Sequence, residues 1–129
     1  MPNAVRLAVD AYVRAWNERD PAARAALIER CFAADGRFVT RSREIRGRQA
    51  LADYMTSFLA DPQIVRVRLS SALDASGTTF RFRGVVERRD GTKPPEAFDA
   101  GEIDADGRIS LLLTFVGPLA DADDPGSTT

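Results

Sequence analysis

The hydrophobic rhythm of this chain changes for good near residue 60, and that change restricts the folds open to it. Ahead of it, apolar side chains recur three and four residues apart, the period of one helical face. Val5, Ala8, Val9, Tyr12, Val13 and Trp16 form the first such stripe, with Arg6, Asp10, Arg14 and Asn17 between them. Asp20 and Pro21 then restart the chain. An aspartate at this point accepts a hydrogen bond from an open amide of the first turn, and proline has no amide to leave unpaired. A second helix is predicted over 21–30, with Leu27 and Ile28 as its main apolar residues. Asp35-Gly36 reads as a turn and 37–40 as a short strand. A third helix is predicted over 48–60, with Leu51, Tyr54, Met55, Phe58 and Leu59 on one side. Asp61-Pro62 ends it, because proline disfavours helix in the residue before it.

Beyond residue 60 the period is two. Val65, Val67 and Leu69 alternate with Arg66, Arg68 and Ser70, and Phe80 and Phe82 alternate with Arg81 and Arg83. Strands over 97–104 and 109–116 are joined by a tight Asp106-Gly107 turn. Helices first and antiparallel strands after them predict an α+β domain with the helices packed on one sheet face. In the last strand Ile109, Leu111, Leu113 and Phe115 share one face, yet Leu112 and Val116 on the other are apolar too. A sheet covered on one side only alternates more cleanly. The outer face is therefore expected to be covered by a second copy, in a homodimer.

At 129 residues the chain fits one domain, expected over 1–120, with a polar tail over 121–129 that is expected to be disordered. The formal net charge of −1 supplies no field that would favour nucleic acid or an anionic membrane. No apolar run reaches bilayer-spanning length, and no leader opens the chain, so a cytoplasmic protein is expected. With no histidine and one cysteine, Cys31, the serine–histidine and cysteine–histidine nucleophiles are excluded, and neither a metal nor a cofactor is expected.

Three segments carry a family resemblance. Tyr12…Trp16-Asn17-Glu18-Arg19-Asp20 with Cys31-Phe32-Ala33-Ala34-Asp35-Gly36 resembles the opening of SnoaL-like, nuclear-transport-factor-2-like proteins. Ile45-Arg46-Gly47-Arg48-Gln49-Ala50-Leu51 is similar to their entry into the third helix, and 98–109 to their final hairpin. The resemblance implies three helices on a strongly curved, mostly antiparallel sheet, the cystatin-like conical cup. A small apolar or carbonyl-containing ligand would sit inside it. Ketosteroid isomerase, polyketide cyclases and limonene epoxide hydrolase share that cup, so the resemblance implies either an isomerase- or cyclase-type enzyme or a non-catalytic ligand-binding or dimeric adaptor protein, and function must be argued from the site.

Relative to ketosteroid isomerase, Tyr12 stands eight residues before Asp20, and Asp99 eight before Gly107, as its oxyanion-stabilising pair does. A phenol and a carboxylic acid kept protonated by an apolar wall can both donate to one developing oxyanion. That enzyme's general base aligns with Thr40, whose hydroxyl is too weak to take a carbon-bound proton. Steroid isomerisation by that route is rejected, and Glu44 is the nearest other carboxylate. Tyr12 reads equally well as an aromatic at the edge of the core. Asp99, between Phe98 and Ala100, must be paired, protonated or at a rim. Trp16, Tyr54 and Phe58 fit a pocket wall or a plain core, and Leu112, Thr114 and Val116 share the strand face expected to look into the cup. Turned inward, Arg83 would pair with Asp99 as in limonene epoxide hydrolase. With Phe80 and Phe82 facing the core, it is solvated instead.

Overall fold

The computed structural model describes residues 3–122, so the expected tail lies outside the described residues from residue 123 on. Helix α1 (Ala4–Asn17) starts where the Asn3 side chain accepts from the Val5 amide at 2.7 Å, and it buries Val5, Val9, Tyr12 and Trp16 along the predicted stripe. Helix α2 (Pro21–Cys31) is capped by Asp20, which accepts from the Ala23 amide at 2.9 Å. Helix α3 (Arg48–Leu59) buries Leu51, Met55 and Leu59.

The strands are β1 (Phe32–Val39), β2 (Glu44–Arg46), β3 (Ile64–Leu69), β4 (Asp74–Ser76), β5 (Thr79–Arg88), β6 (Ala97–Ile103) and β7 (Ile109–Val116). They form one sheet in the order β2-β1-β7-β6-β5-β3, with β4 on β5; β1 and β7 run parallel and every other pair is antiparallel. Register shifts interrupt the β1–β7, β3–β5 and β6–β7 ladders. An extra residue at such a point bends the strand and deepens the local twist, so the sheet curves around the helices. Gly101 is required by close approach in this curve, since a Cβ there would collide with the Leu111 carbonyl oxygen.

Two local expectations change, and two short strands join those expected. Asp35-Gly36 is not a turn but lies inside β1, where the β1–β7 register slips between Phe32 and Arg37. The short strands β2 and β4 have three residues each, too few to show a period. Ile109 does not share a face with Leu111 and Leu113. The shift between Glu102 and Ile103 turns Ile109 inward, and it is fully buried along with Leu112.

Helices and concave sheet face meet in one apolar core that includes Phe32, Phe38, Phe80, Phe82, Ile109 and Leu112. Two arginines tie the helices together. Arg19 donates to the carbonyls of Leu59 (3.0 Å) and Ile64 (2.7 Å). Arg24, only 4% exposed, donates from Nε to the Glu18 carbonyl (2.9 Å) and from Nη1 to Thr56 Oγ1 (2.6 Å). On the opposite, convex face Phe98 and Phe115 sit directly across from each other and remain 41% and 57% exposed. No described helix is long and apolar enough to cross a membrane.

Candidate functional site

Between the helices and the concave face lies a cavity of about 270 Å³. Helix periodicity puts Tyr12, Val13 and Trp16 of α1 and Tyr54 and Phe58 of α3 on its wall. Strand alternation brings Phe82 from β5, Ala97 and Asp99 from β6, and Thr114 and Val116 from β7. Asp99 faces the cavity because it is directly opposite Thr114 on one side and Phe82 on the other, and all three share the concave face.

The two central groups meet the same hollow. Tyr12 is 3% exposed and Asp99 7%. Among the described residues Asp99 is the only acidic one on the wall, and its one side-chain partner is the Thr114 hydroxyl, which donates to Oδ1. Burial pushes the Asp99 carboxyl up to about 7, with no neighbouring charge to offset it. Tyr12 is held well above its ordinary value, first by burial and then by the nearby Asp99 charge, while the Trp16 indole acts in the opposite sense. The phenol and the carboxyl are thus within electrostatic reach without being bonded to each other. At neutral pH the phenol keeps its proton and the carboxyl is divided between its two states.

Aromatic rings build the rest of the chamber. Trp16 meets Tyr12, Tyr54 and Phe58 edge to face, at centroid distances of 6.2, 5.9 and 5.1 Å, and Phe38 at 6.2 Å in a tilted pair. Such contacts hold ring orientation through the quadrupoles of the rings. The Arg43 guanidinium lies 5.5 Å from the Tyr54 ring centroid.

Seven of the ten residues singled out from sequence line this one cavity: Tyr12, Trp16, Tyr54, Phe58, Asp99, Thr114 and Val116. Three do not. Thr40 follows the end of β1, and its hydroxyl is engaged in its own turn, accepting from the amides of Ser42 (3.3 Å) and Arg43 (3.2 Å). Leu112 is fully buried in the packed core. Arg83 sits opposite Phe98, one position out of phase with the Phe82–Asp99 pair, so it belongs to the convex face and cannot pair with Asp99. Sequence reasoning missed Phe38, Val67 and Leu69 as wall residues. The alternation of Val67 and Leu69 with arginines was the available signal, but it does not say which apolar strand face borders empty space. Pro94 and Pro95, from the loop joining β5 to β6, also reach the wall.

The comparisons agree with this fold. A candidate isomerase of the SnoaL-like family from Agrobacterium tumefaciens superposes with a TM-score of 0.79 at 24% identity, covering 89% of this chain and 98% of its own. A protein with a ketosteroid isomerase-like fold from Catenulispora acidiphila, in complex with trimethylamine, gives 0.64 at 19%, covering 85% of each chain. An LEH-like epoxide hydrolase from M. tuberculosis gives 0.63 at 19%, covering 88% of this chain and 81% of its own. At such identities the likeness carries the fold alone. No curated protein matches the chain. The SnoaL-like domain model matches residues 9–112, from within α1 to the middle of β7, and the chain therefore belongs to the SnoaL-like family.

Proposed function

We propose that this chain binds a small apolar carbonyl compound, oxygen first, against Tyr12 and Asp99. The observation that carries the reading is a single carboxyl, without a cationic partner, sharing an apolar hollow with a buried phenol. Most of the wall offers only apolar contact, and with Arg68 tied to Glu87 a ligand's polar group finds its partners at these two residues, at Thr114 and at the Tyr54 hydroxyl. The Tyr12 hydroxyl and protonated Asp99 both donate to a carbonyl oxygen and would stabilise the charge that develops there when a base from solvent takes the α-proton and leaves the enol. Isomerase- or cyclase-type chemistry is the reaction class this supports, and the Agrobacterium relative is itself described as a candidate isomerase. The wall supplies acids rather than a second carboxylate as base, so binding and polarisation of the carbonyl come before turnover.

Trp16, the sole tryptophan, lies on the wall and reports occupancy by its fluorescence. Titration with acetophenone should quench it, about tenfold more tightly in the wild type than in Tyr12→Phe. The affinity should also fall as pH rises through 7, where Asp99 loses the proton it donates. Proton NMR in D₂O then separates binding from catalysis, because exchange of the methyl protons, slowed in Asp99→Asn, marks enolisation. Failure of acetophenone and of a panel of bulkier aromatic and terpenoid ketones to quench Trp16 would refute the reading.

We propose also that the convex face pairs two copies of the chain. Phe98 and Phe115 form an exposed apolar patch flanked by Arg83 and Glu96. A two-fold axis through the patch would set Arg83 of one copy against Glu96 of the other. Light scattering should give twice the chain mass at micromolar concentration and the single mass for Phe115→Glu. A wild-type monomer would contradict the pairing.

A further inference from the structure

The carboxyl in the cavity lacks a cation, and the charges of the surrounding elements show why none is supplied from within. On α1 the group that feels the Asp99 charge is the neutral phenol of Tyr12. From α3 comes Tyr54, and the cation beside it, Arg43, is held over the Tyr54 ring. On β3, Arg68 reaches the wall, but its guanidinium is tied to Glu87 at 2.5 Å, and Glu87 also takes Arg66 at 2.8 Å. On β5, Arg83 belongs to the opposite face. On β7 the partner is the uncharged Thr114 hydroxyl. Among the described residues, no side chain neutralises an ionised Asp99.

The walls that surround this carboxyl are rings. Tyr12, Trp16, Phe38, Tyr54, Phe58 and Phe82 all border the hollow. Aromatic faces attract a cation through the ring quadrupole, most strongly when water is excluded, and tryptophan and tyrosine do so best. The chain already makes one such contact, between Arg43 and Tyr54. An aromatic chamber with a lone carboxylate is what a bulky, poorly hydrated ammonium group requires. The rings replace its weak hydration and the carboxylate balances its charge.

We infer that the cavity is also a binding site for apolar tertiary or quaternary ammonium compounds, with Asp99 as counter-ion and the rings around Trp16 as the cage. This rests on the reading of the cavity as a ligand site, and it adds a second ligand class selected by the charge state of one residue. Protonated Asp99 donates to a neutral carbonyl, whereas ionised Asp99 holds an ammonium. The two classes therefore respond to pH with opposite sign: ammonium binding strengthens, and carbonyl binding weakens, as pH rises through about 7.

Benzyltrimethylammonium tests this cleanly, since its charge does not change with pH. Acetophenone, an aromatic ketone without charge, serves as the neutral comparison. Trp16 fluorescence should report benzyltrimethylammonium binding about tenfold tighter at pH 8 than at pH 6, following the ionised fraction of a group that titrates near 7. In Asp99→Asn the affinity should drop at least tenfold at pH 8 and lose its pH dependence. Should that variant fold poorly, the wild-type pH profile tests the same point without it. If acetophenone quenches and benzyltrimethylammonium does not, or if the ammonium binds equally at both pH values, the inference is overturned while the ligand-site reading stands. Quenching by neither the ammonium, acetophenone nor the ketone panel overturns both.

Discussion

Arg24 and Asp99 are the two charged residues buried among the described residues, and they are buried in opposite ways. Arg24 lies where α2 meets α3, and Glu18 O and Thr56 Oγ1 receive its donors at 2.9 and 2.6 Å. Asp99 lies on a sheet face beside open volume, with one hydroxyl for company and a carboxyl pushed up to about 7. A buried charge with its hydrogen bonds satisfied is part of the scaffold. One left short of partners costs stability and is held in place by the rest of the fold, the pattern expected where a ligand completes the site.

The largest effect should come from breaking the satisfied charge. Arg24→Met removes the two charge-assisted hydrogen bonds to Glu18 O and Thr56 Oγ1 and should lower stability by about 3–5 kcal/mol in urea denaturation. A loss below about 1 kcal/mol would remove the contrast. Next comes Asp99→Asn, which should act in the other direction. The folded carboxyl titrates near 7 and the unfolded one near 4, so the folded state holds the extra proton between those values. The contribution of Asp99 to stability is therefore complete below about pH 4, declines as pH rises to 7 and is flat above it. Asp99→Asn should stabilise the protein by about 4 kcal/mol at pH 8 and by almost nothing at pH 4, removing the part of the slope that Asp99 supplies. The same denaturation series at two pH values decides it.

Smaller effects sharpen the comparison. Thr56→Val leaves the Arg24 Nη1 donor without its 2.6 Å partner and should cost about 1–2 kcal/mol, read by thermal unfolding. Arg83→Gln, on the convex face, should leave acetophenone affinity in the cavity unchanged within twofold. A larger change would mean that Arg83 reaches the concave side.

These two charges also differ in how far the sequence reveals them. Asp99 stands between Phe98 and Ala100 in an alternating strand, where a bare carboxylate is an anomaly that asks for a reason. Arg24 sits in an alanine-rich helix among other charges, and its partners are backbone carbonyls and a threonine thirty-two positions away, which leave no local pattern. The helices were legible because Asp20-Pro21 and Asp61-Pro62 punctuate them and the apolar stripes keep their period. Register shifts were not, because one extra residue changes the face of everything after it, as Ile109 shows. Thr40 was misplaced for a related reason: the strand ends one residue short, and a turn takes its hydroxyl. Alternation correctly set Phe82 on the inner side, but only the assembled sheet shows that it borders a cavity rather than filling one.

Everything functional here depends on an Asp99 carboxyl that meets an apolar hollow with no cation beside it. Carbon-13 NMR of the protein labelled at aspartate carboxyls, with Asp99→Asn to assign the signal, measures that state directly. One aspartate signal, lost in Asp99→Asn, should titrate near pH 7. A midpoint near 4 for Asp99 would mean that water or a cation reaches it, and would contradict the account.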